Sequence, residues 1–120
     1  QHQQIIKTLE TKVATDEETL VTETNKKEST IKSNEELNSK LNQLNEEFAS
    51  IENDSNLTAD EKSKKSAKIK KEISSTQSKI NLNSKKIEIS TKKIETLEKR
   101  IESSKKELEE KKKKEEEKKK

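Results

Sequence analysis

A seven-residue repeat of aliphatic side chains constrains the fold of this 120-residue chain most strongly. The repeat comprises Ile73, Ile80, Ile87, Ile94, Ile101 and Leu108. Its companion positions are Ile69, Thr76, Asn83, Ser90, Leu97 and Ser104. Side chains with this spacing lie on one side of an α-helix and are typical of coiled coils. We therefore predict a long helix with one narrow stripe facing another helix.

The first half of the chain carries a matching stripe at alternating intervals of three and four residues. Its positions are Ile6, Leu9, Val13, Asp16, Leu20, Glu23, Lys27, Thr30, Asn34, Leu37, Leu41, Leu44, Phe48 and Ile51. We call the two stripes together the seam. Its predicted apolar core is Leu9, Val13, Leu37, Leu41, Leu44, Phe48, Ile69, Ile73, Ile80, Ile87, Ile94, Leu97 and Ile101. Few apolar residues stand between Asp16 and Asn34, so we expect that stretch to be weakly held.

The composition leaves little besides helix or disorder. The chain has 22% hydrophobic residues and no Gly, Pro or Cys. Tight hairpins and parallel-sheet loops depend on Gly and Pro, so sheet architectures are disfavoured. The regular stripes favour helix over disorder.

One cluster of turn-forming residues separates the two stripes, at residues 53–58. Asn53 can end the first helix in the left-handed conformation when no glycine is present. Thr58 and Glu61 form a capping-box pattern that starts a new helix. We predict an acidic helix over residues 1–52, a turn over 53–58 and a basic helix over 59–108.

Charge favours pairing between these two helices. Residues 1–52 hold six Lys against eleven acidic residues, whereas residues 59–108 hold fifteen basic residues against eight acidic ones. Opposite net charges attract, and pairing of like helices is disfavoured. We predict an all-α, antiparallel coiled-coil hairpin, with an antiparallel or domain-swapped dimer as the alternative.

A turn that brings Glu52 opposite Ala59 sets the expected register. It places Leu41 beside Ile69 and Leu9 beside Ile101. In the middle it places Asp16 near Ile94, Glu23 near Ile87, Lys27 near Asn83 and Asn34 near Thr76.

Residues 109–120 form a tail of Lys and Glu with no apolar residue. Glu and Lys spaced three or four residues apart can support a solvated helix. Without a seam, we expect this tail to fray.

Four aliphatic residues outside the seam are the candidate partner-binding residues: Val21, Ile31, Leu82 and Ile89. Leu82 and Ile89 are seven residues apart and share one line on the helix, and the expected register brings Val21 close to Ile89 along the axis. The alternative is that these are scattered, inert surface residues. If they act together, they accept an amphipathic helix or coiled coil of another protein.

Other functions find little support. A two-helix rod with one aromatic residue offers no catalytic pocket, and we expect no enzyme activity and no cofactor. The basic run from Lys62 to Lys71 lacks the aromatic and arginine residues that bind single-stranded nucleic acid, so the sequence disfavours nucleic acid as a partner. No apolar stretch approaches the roughly 20 residues that cross a bilayer. The chain begins with Gln1, so we expect a processed mature chain or a fragment, secreted or at the cell surface.

The isoleucine repeat from Ile73 to Ile101, the Lys, Asn, Ile, Glu and Ser bias, and two arms joined at residues 53–61 resemble small secreted helical-hairpin proteins. The phyllogen-type effectors of phytoplasmas are similar in architecture. That resemblance implies a virulence effector that captures helices of a host protein. Coiled-coil segments of Gram-positive surface proteins and peptidoglycan hydrolases are similar too, and imply a structural spacer or a regulatory segment. No residue carries over from the phyllogen-type effectors.

Overall fold

The computed structural model describes residues 2–119, which form two α-helices. Helix α1 spans His2–Glu52 and helix α2 spans Ala59–Lys119, and the described residues contain no strand. The helices pack against each other in antiparallel directions. The prediction of an all-α hairpin of two long helices is confirmed.

The chain divides into two compact units, and each unit contains a segment of both helices. The terminal unit comprises Gln1–Lys27 and Glu88–Lys120. The turn unit comprises Glu28–Ile87 and includes the connection between α1 and α2. Packing therefore groups residues by their position along the paired helices.

Helix α1 ends in a tightened last turn. The N–H of Asn53 donates to the carbonyl oxygen of Ala49 at 3.1 Å, and the N–H of Asp54 donates to that of Ile51 at 3.3 Å. These bonds satisfy two of the carbonyls that a helix end leaves open. No described residue has a positive φ, so the expected left-handed conformation of Asn53 is wrong. The tightened turn ends the helix without it.

Side-chain hydrogen bonds organise the start of α2. Asp54 Oδ1 accepts a hydrogen bond from the N–H of Asn56 at 2.9 Å. Thr58 Oγ1 accepts from the N–H of Glu61 at 3.1 Å, and Glu61 Oε1 accepts from the N–H of Thr58 at 3.3 Å. These reciprocal bonds are those of a capping box, which is confirmed.

The register at the turn differs from the expected one. Glu52 does not face Ala59: its Oε1 accepts a hydrogen bond from Ser66 Oγ at 2.7 Å, and its carbonyl oxygen accepts one from Lys62 Nζ at 3.1 Å. Both partners of Glu52 lie further along α2 than Ala59. Side chains of α1 therefore meet residues further along α2 than expected.

The terminal unit shows the same shift. Asp16 Oδ1 accepts a hydrogen bond from Arg100 Nη2, and Glu23 Oε1 accepts one from Ser90 Oγ. Both partners lie further along α2 than the isoleucines expected opposite Asp16 and Glu23. In the turn unit, Asn34 bonds to Ser84 and not to a residue near Thr76.

The seam forms a thin core in which small polar residues are as buried as aliphatic ones. The buried aliphatic residues are Leu9, Val13, Leu97 and Ile101 in the terminal unit, and Leu44 and Ile80 in the turn unit. The buried polar residues are Asp16, Ser90 and Ser104 in the terminal unit, and Ser66 and Thr76 in the turn unit. The half-buried members of the predicted core are Leu37, Leu41, Phe48, Ile69, Ile73, Ile87 and Ile94. Short side chains lie close to the helix axis, where the facing helix covers them, whereas longer ones reach the edge of the seam.

The tail continues α2 without a break, since the helix spans residue 108 and extends to Lys119. His2 Nε2 donates a hydrogen bond to the carbonyl oxygen of Lys111 at 3.0 Å, and Lys112 Nζ lies 3.9 Å from Glu10 Oε2. Past Leu108, where the apolar seam ends, polar contacts join the two helices for the next turn.

Candidate partner-binding site

A surface groove of about 490 Å³ lies on the terminal unit, between α1 and α2. Helix α1 contributes Thr19 and Glu23. Helix α2 contributes Ile89, Lys92, Lys93, Thr96, Leu97 and Arg100. The surface inside the groove is mainly apolar, although its rim carries charged residues.

Aliphatic and short side chains account for this groove. Leu97 belongs to the seam and is buried, whereas Ile89 lies outside the seam and is 56% exposed. Thr19 and Thr96 are short for positions beside a helix pair, where long charged side chains usually cover the seam. The result is an open apolar strip beside the paired helices.

Glu23 forms a hydrogen bond across the seam, between α1 and α2. Ser90 is buried and donates from Oγ to Glu23 Oε1 at 2.9 Å. The bond satisfies the buried hydroxyl, which would otherwise lower stability. It also fixes one wall of the groove.

A half-buried ion pair lies next to the groove. Arg100 Nη2 lies 2.6 Å from Asp16 Oδ1, and the Asp16 side chain is 5% exposed against 53% for Arg100. The other carboxylate oxygen of Asp16 is buried without a hydrogen-bond partner. Arg100 therefore both neutralises a seam carboxylate and lines the groove.

The structure separates the four candidate partner-binding residues. Ile89 lines the groove, but Val21, also in the terminal unit and 60% exposed, does not. Ile31 and Leu82 belong to the turn unit, where they are 36% and 55% exposed. Of the four residues, Ile89 is the one that lines this groove.

Sequence reasoning missed two threonines, two lysines and the arginine of this site. Thr19 and Thr96 carry no signal in a chain rich in Thr and Ser. Arg100 does carry a sequence signal, because it is the only arginine in the sequence. Asp16 is an acidic residue on the seam and therefore needs a cationic partner. The shifted register concealed this pairing.

Several lysines of the basic run at residues 62–71 make contacts within the turn unit. Lys62 bonds to the carbonyl oxygen of Glu52, and Lys64 Nζ lies 3.5 Å from Asp60 Oδ2. The ammonium group of Lys70 lies 5.5 Å from the centre of the Phe48 ring, within cation–π range. These lysines pack against their own hairpin.

Neither helix, over the described residues, contains a segment long and apolar enough to cross a membrane. Within residues 2–119, no group of three His, Cys, Asp or Glu side chains is placed to hold a metal ion. No protein-family model matches the chain, and no curated protein or solved structure is significantly similar to it.

Proposed function

We propose that this chain is a non-enzymatic protein-binding module whose paired helices receive an amphipathic helix of another protein. The observation that carries this proposal is Ile89, an exposed aliphatic residue on the rim of an apolar groove. Amphipathic helices bind such strips by burying their own apolar stripe.

The side chains that a bound helix would cover set the expected affinity of this groove. Fully burying an exposed aliphatic side chain contributes about 1.5–3 kcal/mol. Ile89 is already partly covered, and the aliphatic parts of Thr19 and Thr96 add smaller contributions. Because association also costs translational freedom and side-chain freedom, we expect dissociation constants in the micromolar range or weaker.

A structural spacer or stalk segment of a larger bacterial surface protein is the second candidate function. It is supported by the helix contacts that extend past the apolar seam, such as that between His2 and Lys111. In a spacer the exposed aliphatic residues are inert. Secretion and a role as a host-directed effector stay predictions.

The test uses a fluorescein-labelled synthetic peptide of about three heptads, with Leu at the a and d positions and Gln beside them. Binding is measured by fluorescence anisotropy and by the gain of helical circular dichroism. We expect saturable binding that the substitution Ile89→Ser weakens about tenfold.

The matched control is Val21→Ser, which removes an equally exposed aliphatic residue away from the groove. We expect this variant to bind the peptide as the unsubstituted chain does. Absence of binding up to about 100 µM, or equal weakening by both substitutions, contradicts the proposal and favours the spacer.

A further inference from the structure

The two flanks of the seam in the terminal unit differ in charge. On one flank, Glu17 Oε1 lies 3.6 Å from Lys105 Nζ, and Glu10 Oε2 lies 3.9 Å from Lys112 Nζ. On each helix these residues are seven positions apart, so they follow one line beside the seam. Acidic residues of α1 thus face basic residues of α2, as expected for helices that pair through their flanks.

On the flank that carries the groove, Glu23 is the acidic residue of α1 that lines the groove, and the other charged lining residues are basic. Lys93 and Arg100 of α2 line the groove and are seven residues apart. On α1, Lys12 and Lys26 stand seven residues before and after Thr19, which also lines the groove, so all three share one line. Both helices therefore carry cations along this flank.

Internal contacts already engage several of these charges, including that of Lys26. Arg100 pairs with Asp16, and Lys92 Nζ lies 3.8 Å from Glu88 Oε1 in an exposed pair. Lys93 forms no ion pair with any residue that the structure describes. Like charges beside the same seam repel each other, and an anionic partner relieves that repulsion.

We propose that the groove of the terminal unit is a docking site for an α-helix whose apolar stripe is flanked by Asp or Glu residues. This inference rests on the proposed function and names the chemistry of its partner. The apolar stripe covers Ile89, and the acidic flank faces Lys93 and Arg100. The seven-residue interval between these cations corresponds to about 10 Å along a helix, which carboxylates at the same interval on a partner helix match.

The groove favours a helix over nucleic acid. No aromatic residue lies among the described residues of the terminal unit, so bases have no side chain on which to stack. The mainly apolar surface of the groove suits aliphatic side chains better than phosphates. A second copy of this chain fits less well, because the apolar stripe of its acidic helix α1 is already used in its own seam.

The experiment compares three synthetic peptides with Leu at the a and d positions and with Glu, Gln or Lys beside them. Fluorescence anisotropy at low and physiological salt gives their affinities for the full chain. We expect the Glu peptide to bind about tenfold more tightly than the Gln peptide, and the Lys peptide to bind most weakly. The advantage of the Glu peptide should shrink as salt increases.

The variant Lys93→Glu should weaken binding of the Glu peptide about fivefold and strengthen binding of the Lys peptide. Lys99→Glu is the matched control: it makes the same charge change at an exposed residue that does not line the groove. We expect it to change either affinity less than twofold.

Equal affinities for the Glu and Gln peptides, or equal effects of the two charge reversals, overturn this inference while leaving the proposed function in place. Tighter binding of a 20-nucleotide single-stranded oligonucleotide than of the Glu peptide also overturns it. Failure of all three peptides to bind removes both proposals. A Lys93-dependent dimer in sedimentation that excludes the Glu peptide assigns the groove to a second copy and overturns the inference as well.

Discussion

The ion pair between Asp16 and Arg100 makes a quantitative prediction about stability. The substitution Arg100→Gln removes the partner of a carboxylate that is 5% exposed and whose other oxygen already lacks a hydrogen bond. Breaking a fully buried ion pair costs about 3–5 kcal/mol. Because half of Arg100 is exposed, water can replace part of the interaction, and we expect a loss of about 2 kcal/mol.

Thermal unfolding followed by circular dichroism measures this loss. For a chain of this size, about 2 kcal/mol corresponds to a Tm lower by roughly 8 °C. Lys99→Gln is the control, since Lys99 is exposed and has a similar helix propensity. It should change Tm by no more than about 2 °C.

The variant Asp16→Leu tests the physical reason. It replaces a buried, half-satisfied carboxylate on the seam with an aliphatic residue between Val13 and Leu20. We expect it to stabilise the fold by about 1–2 kcal/mol. In the Asp16→Leu background, Arg100→Gln should cost less than about 0.5 kcal/mol, because no buried charge is left without its partner. An equal cost of Arg100→Gln in both backgrounds would refute the reasoning.

Three further predictions concern the seam, the cap and the tail. Leu44→Ala should cost about 2–3 kcal/mol in urea unfolding, whereas Leu82→Ala, at an exposed position, should cost under about 0.5 kcal/mol; similar costs would mean that the seam is not the core. Thr58→Ala should cost about 1 kcal/mol by removing the capping box, and an unchanged urea midpoint would contradict its role. Amide hydrogen exchange should be faster at residues 113–117 than at 101–108, because the tail has no apolar seam; equal protection would show that polar pairing alone holds it.

In the middle of the seam, where few residues are apolar, side-chain hydrogen bonds join the two helices. Glu23 bonds to Ser90 in the terminal unit, and Asn34 bonds to Ser84 in the turn unit. The bond of Ser90 contributes little net stability, but it disfavours other registers because a shifted helix would leave this buried hydroxyl without a partner. We expect such buried polar contacts to fix the register of the two helices more than they raise the free energy of unfolding.

The fold class could be predicted from the sequence because it follows from local chemistry. The isoleucine repeat from Ile73 to Ile101 sets which side of a helix is buried, whatever that side packs against. The capping box of Thr58 and Glu61 acts between neighbouring residues, so it is recognisable without tertiary information. The opposite charges of the two arms then favour folding back.

Register and groove depended on the tertiary structure. A heptad pattern is nearly unchanged when one helix slides along the other, so the seam alone does not determine which residue faces Asp16. The folded chain makes that choice, and at the turn it places Glu52 beside Ser66. Only the resulting alignment joins Asp16 to Arg100, and only that alignment opens a groove beside Ile89 that cations of α2 line. Periodicity is a property of each helix, whereas a site between two helices depends on their relative position.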